Sequence, residues 1–128
     1  MRLLLDTHAL LWWLNDDRLL PPDVRKLIAR GGNTVLVSAA SAWEIATKVR
    51  LGKLPMADDL VGDFSNALKQ QGFETLAVSI DHALRAGLLP GPHKDPFDRM
   101  LIAQSQAENI PILSNDLMFD SYHVRRLW

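Results

Sequence analysis

Short apolar runs alternate with longer amphipathic ones along this chain, and the two periods separate strands from helices. Arg2 to Leu5 reads as a strand, and the segment from His8 to Leu14, apolar on nearly every side, as a short helix. Pro21 and Pro22 open a second helix with the stripe Val24, Leu27 and Ile28, stopped by Gly31 and Gly32. Thr34 to Val37, β-branched and apolar, is a second strand. Ser38 or Ser41 can cap the next helix, which carries Trp43, Ile45, Ala46 and Val49 and stops at Gly52. Leu60, Val61, Phe64 and Leu68 predict a fourth helix ended by Gly72, with a third strand from Thr75 to Val78. A short helix from Asp81 to Ala86 leads into the loop LLPGPHK. Asp95, Pro96 and Asp98 then form the start of another helix: an acidic N-cap, proline at N1 and an acid at N3. Ile110 to Leu113 is a fourth strand, and the tail HVRRLW offers a fifth at the sheet edge.

Strands alternating with helices predict an α/β fold with a central, mainly parallel sheet of four to five strands flanked by helices. No repeat, low-complexity tract or linker interrupts it, and 128 residues is close to the modal size of one domain, so residues 1–128 are read as one.

Composition narrows the chemistry. The absence of cysteine removes disulfides, thiolate metal sites and a cysteine nucleophile, so any metal must be held by oxygen or imidazole. Asp6 and His8 interrupt the apolar N-terminus, which reads as a strand and not as a secretion signal. No run is long enough for a membrane helix, and the expected location is cytoplasmic. A net charge of -1 does not mark a nucleic-acid binder, so such a role must come from a local site.

Asp6 directly follows strand one, and Asp116 lies just past strand four. Glu44 sits early in the helix leaving strand two, and Asp98 in the first turn of the helix that returns towards strand four. In a parallel α/β sheet these positions share the carboxyl edge, where ligands bind. Each acid also has an ordinary structural reading. Asp6 and Asp98 can serve helix starts, Asp116 a turn, and Glu44 can pair with Lys48 at i, i+4. Their joint placement is what favours a cation, because carboxylates crowded on one rim repel one another unless something positive is bound. Oxygen-only donors suit Mg²⁺ or Mn²⁺, which activates water and polarises phosphoryl oxygens, the chemistry of phosphodiester hydrolysis.

At these residues the chain resembles the PIN-domain family, and within it the VapC-type toxins. The resemblance runs through LLLDTHALLWWL, SAASAWEIATKVRLGKL, HKDPFDRMLIAQSQAENIPILSND and the FDSYHV tail, in that order, with DPFDRMLIAQ the most specific segment. It implies a PIN-like fold and a metal-dependent endoribonuclease acting on RNA. It also implies inhibition by a cognate VapB-type antitoxin and a homodimer. Asp6, Glu44, Asp98 and Asp116 match the family's four acids as catalytic and metal-binding residues. Asp95 is an extra acid whose N-cap role suffices to explain it. Ser114 stands where many members have threonine and keeps the hydroxyl; Thr7 is a similar supporting residue.

His8, His82, His93 and His123 show no zinc-like spacing and read as structural or surface histidines. Lys48, Arg50, Lys53, Lys94 and Arg99 are candidate phosphate contacts or solvated helix ends. The helix ALLWWL is too apolar to lie on a surface, so Trp12 or Trp13 is expected either in the core or in a partner contact. A phosphoacceptor receiver domain, similar in length, is disfavoured because Asp6 lacks an acidic neighbour. A PIN nuclease without an antitoxin and a PIN domain that binds RNA without cutting it are the remaining alternatives.

Overall fold

The computed structural model describes residues 1–128. Five strands, β1 (Arg2–Leu5), β2 (Thr34–Ser38), β3 (Glu74–Leu76), β4 (Ile112–Leu113) and β5 (Arg126–Leu127), form one sheet in the order β3-β2-β1-β4-β5. Every pairing is parallel, with Leu4 opposite Leu36 on one side and Ile112 on the other. A parallel sheet covered on both faces needs strands that are apolar throughout, and Leu3, Leu4 and Leu5 are accordingly all fully buried.

Seven helices flank the sheet: α1 (Thr7–Leu14), α2 (Pro22–Ala29), α3 (Ala39–Arg50), α4 (Asp58–Gly62), α5 (Phe64–Gln70), α6 (Ile80–Leu88) and α7 (Pro96–Glu108). The pleat divides the core. Leu5, Val35, Val37 and Leu113 pack with Leu10, Val24, Ile28, Ile45 and Leu68 from α1, α2, α3 and α5. Leu4, Leu36 and Ile112 pack on the other face with Leu101 and Ile102 of α7 and with Phe119, from a 3-10 turn at Leu117–Ser121. No helix is long and apolar enough to cross a membrane.

Three expectations are corrected in detail. The single helix read through Leu60, Val61, Phe64 and Leu68 is broken at Asp63, whose φ of -142° ends α4 before α5 begins. Glycine at 62 followed by aspartate is weak helix sequence, and Asp63 instead accepts a hydrogen bond from the Asn66 amide at 3.1 Å. The third strand ends at Leu76, not Val78, because the chain turns to cap α6 through Ser79. Arg99 is not free for phosphate. Its guanidinium donates to the carbonyls of Ala86, His93 and Leu89, fastening the loop before α7 to the helix itself.

Candidate active site

Strands β2 and β3 lie on one side of β1, and β4 and β5 on the other. The reversal of strand order between β1 and β4 opens a crevice at the carboxyl edge. Asp6 ends β1 at this point, 6% exposed, and caps α1 by accepting the Ala9 N–H at 2.7 Å. Beyond β4, the fully buried Ser114 donates its hydroxyl to Asp6 and accepts the Asp116 N–H at 3.0 Å. Asp116 is exposed and caps the following 3-10 turn through the Met118 N–H at 3.0 Å. Burial pushes the Asp6 carboxyl above its ordinary range. Ser114, the Ala9 N–H and His8 oppose that shift, and repulsion from Asp116 adds to it.

Glu44, in the second turn of α3, is 4% exposed. The Thr7 hydroxyl donates to one of its oxygens at 2.7 Å and lies 3.0 Å from the Ser41 hydroxyl; Lys48 pairs with the other at 2.5 Å. Thr7 therefore ties the start of α1 to the Glu44 carboxylate.

Asp98 lies in the first turn of α7, half-buried, its carboxylate 2.8 Å from His93 Nε2. Burial again raises its carboxyl most strongly. The His93 hydrogen bond and charge oppose the rise, while Asp95 and Glu44 reinforce it by repulsion. Asp95 accepts the N–H groups of Phe97 at 2.9 Å and Asp98 at 3.0 Å, a complete N-cap.

Asp6 with Asp116, and Glu44 with Asp98 and Asp95, thus form two adjoining acidic sets on one rim, joined through Thr7. No three carboxylate or imidazole groups close into a metal cage. A hard divalent cation keeps several waters and takes only one or two carboxylates directly, so the donor chemistry of either set suits one without such a cage. The raised Asp6 and Asp98 carboxyls carry a charging penalty that such a cation would relieve.

His93 is the residue that sequence reasoning missed. Of the four histidines, His82 is structural as expected, buried and completing the cap of α6 with Ser79, and His8 and His123 are exposed. His93 instead meets Asp98, and its place is fixed from outside the motif: its N–H donates to the Tyr122 hydroxyl at 3.2 Å, and its carbonyl accepts from Arg99. Gly91, at φ +114°, lets the Tyr122 ring lie where a side chain would stand. The five-residue step from His93 to Asp98 across Asp95-Pro96 was the available signal.

The PIN-domain family model matches residues 3–124. The chain belongs to the PIN-domain family. Ribonuclease VapC16 of Mycobacterium tuberculosis is 40% identical over 70 residues, a stretch covering 55% of this chain and 43% of that protein. The chain thus matches under half the length of that relative. Among solved structures, VapBC2 from Rickettsia felis bound to a promoter DNA fragment aligns at a TM-score of 0.72 with 17% identity, covering 99% of this chain and 98% of that one. The DNA-bound VapBC of Salmonella typhimurium aligns at 0.68 with 14% identity, covering 99% and 97%. At these identities the likeness is one of fold, and it extends over the whole PIN domain.

Ser114 offers a direct check on how the PIN domain builds this rim. Ser114→Ala leaves the Asp116 N–H without its acceptor and Asp6 without a donor. We expect a loss of about 1 to 3 kcal/mol, read from the denaturant midpoint at constant slope. A midpoint equal to wild type would mean that water replaces both bonds.

Proposed function

We propose that this PIN domain is a metal-dependent endoribonuclease that hydrolyses RNA phosphodiester bonds in the cytoplasm, the toxin of a VapC-type pair neutralised by a cognate VapB-type antitoxin. The observation that carries the reading is the placement of Asp6, Glu44, Asp98 and Asp116 on the carboxyl edge at the strand-order reversal, with Asp6 and Asp98 raised by burial and, to a smaller extent, by repulsion from the acids beside each. The name of the mycobacterial relative, a ribonuclease, agrees with it.

In this reading Asp6, Glu44, Asp98 and Asp116 hold Mg²⁺ or Mn²⁺, singly or as a pair. A cation bound there supplies charge to a phosphoryl oxygen and makes water a stronger nucleophile at neutral pH. The chain's own groups set the geometry. The Ala9 N–H and Ser114 fix Asp6, Thr7 fixes Glu44, and His93 fixes Asp98. Lys48 balances Glu44 and limits the charge that an approaching phosphate meets. Lys94, Arg50 and Lys53 are exposed and free to meet the flanking backbone.

The antitoxin finds a surface beside α1. Leu11, Leu14, Met56, Ala57, Leu60 and Ala67 line an apolar groove of about 270 Å³, suited to the apolar side of a helical segment. Trp12 and Trp13 are half-buried against the core below it, Trp13 donating to Gln71 at 2.9 Å and Trp12 lying 5.9 Å from Trp128. Both tryptophans pack on the core yet keep exposed area, and Trp12 also lines an open surface pocket with His8, Asp116 and Leu117, so a contact through Trp12 stands beside the groove, for which a second copy is the other candidate occupant.

Purified protein should cut RNA in Mg²⁺ or Mn²⁺ and stop in excess chelator. Full cleavage in chelator would overturn the metal mechanism, and RNA binding without any cleavage would leave a PIN domain that only binds.

A further inference from the structure

The residues that immediately precede two of the acids are both aromatic, and they touch. Trp43, before Glu44, and Phe97, before Asp98, meet edge-on with ring centroids 4.8 Å apart and planes at 77°. Glu44 is buried, whereas Trp43 is 61% exposed, far more than a large aromatic ring held for packing. An edge contact braces the pair while leaving indole surface open to solvent at the lip of the acidic rim.

We propose that Trp43, braced by Phe97, is the stacking platform for an unpaired nucleobase of the RNA strand beside the bond to be cut. This inference rests on the ribonuclease reading and specifies its substrate. A base within a duplex has both faces covered by its neighbours, so a single open ring at the rim selects a nucleotide that is unstacked on at least one side. The rest of the surface agrees with nucleic acid. Ala46, Thr47 and Arg50 follow Trp43 on the same side of α3 at helical spacing, and the exposed Arg50 guanidinium lies two turns on, where a neighbouring phosphate can be met. A protein partner would need a broad apolar face, and these neighbours are small, polar or charged.

The test is binding of a fluorescein-labelled oligoadenylate in chelator, followed by anisotropy, against an abasic ribose-phosphate oligomer of the same length and charge. Wild type should prefer the oligomer with bases. Trp43→Ala should lose roughly 5- to 150-fold in affinity for it and bind both oligomers alike, because base stacking on one aromatic ring is worth that much. Trp43→Phe should keep most of the preference. Trp43→Leu, which preserves apolar volume against Phe97, should behave like the alanine variant, and tight base-dependent binding by it would overturn the platform. With metal added, Trp43→Ala should raise KM more than it lowers kcat. If wild type neither binds nor cuts RNA, the ribonuclease reading fails and the platform with it. If wild type cuts RNA and Trp43→Ala does so with unchanged KM and base preference, only the platform fails. A variant that binds RNA normally but changes its sedimentation would make this face a protein contact and overturn the proposal.

Discussion

Asp6→Asn should lower RNA cleavage by more than about 100-fold while raising the melting temperature of the metal-free protein near neutral pH by several degrees. The fold should survive, because Asp6 works structurally as an N-cap to the Ala9 N–H and asparagine is an equally good cap. What the substitution removes is a buried charge. Burial holds the Asp6 carboxyl above the ordinary aspartate range, so the folded chain binds more protons than the unfolded one from that range upward. Stability contributed by the neutral form is present at low pH and lost as pH rises through the folded-state pKa. The variant has no such loss. Its advantage over wild type should therefore be greatest at neutral pH and shrink as pH falls towards 4. Adding Mn²⁺ should reverse the order, raising the wild-type melting temperature by binding the folded state and leaving Asp6→Asn nearly unmoved. A variant that melts below wild type at neutral pH in chelator would show that the carboxylate stabilises this fold on its own, and the argument that Asp6 serves a bound cation would fall.

The sequence made the framework legible where period and end signals agreed. Leu3 to Leu5 is apolar without alternation because the strand is covered on both faces, and Asp95-Pro96 marks the start of α7 because the side chain caps two N–H groups there. The edge strand was offered by the tail HVRRLW, and the structure forms it at Arg126–Leu127. The α4–α5 break was not visible, because Leu60, Phe64 and Leu68 keep a helical period across it, although only Phe64 and Leu68 of α5 reach the core and α4 buries no residue. Position along the chain put four acids on one edge, but it could not divide them into two sets. That division depends on Ser114 bridging Asp6 and Asp116 and on Thr7 reaching Glu44, contacts between segments far apart in sequence. His93 and Arg99 were misjudged for the same reason. A histidine in a Pro- and Gly-rich loop reads as solvated until Tyr122, 29 residues on, holds the loop down, and an arginine after an acid reads as a phosphate ligand until three carbonyls claim it.

Asp98 and Asp95, three residues apart in one helix start, should separate cleanly under the same substitution. Asp98→Asn is expected to lower cleavage by more than about 100-fold, and Asp95→Asn to keep it within about tenfold of wild type. The difference follows from what each carboxylate does. Asp95 spends one oxygen on two backbone N–H groups, which an asparagine carbonyl can also accept. Asp98 accepts nothing from its own helix; it faces His93 and is repelled by Asp95 and Glu44. Two ionised carboxylates about 5 Å apart repel by roughly 3 kcal/mol at an effective dielectric of about 20, reduced here because Asp98 is only half-buried. Losing a negative charge from a helix's first turn costs only about 0.3 to 1 kcal/mol. The His93 hydrogen bond adds to that cost, but an asparagine oxygen still accepts it from the neutral ring. Relief of repulsion should win, and metal-free Asp98→Asn should melt at or above the wild-type temperature, the usual trade at a functional position. Asp95→Ala, which leaves both N–H groups without an acceptor, should by contrast cost about 1 kcal/mol. Cleavage rates and metal-free melting temperatures of the three variants decide the matter. An active Asp98→Asn beside an inactive Asp95→Asn would move the catalytic assignment to Asp95 and leave Asp98 as the anchor for His93.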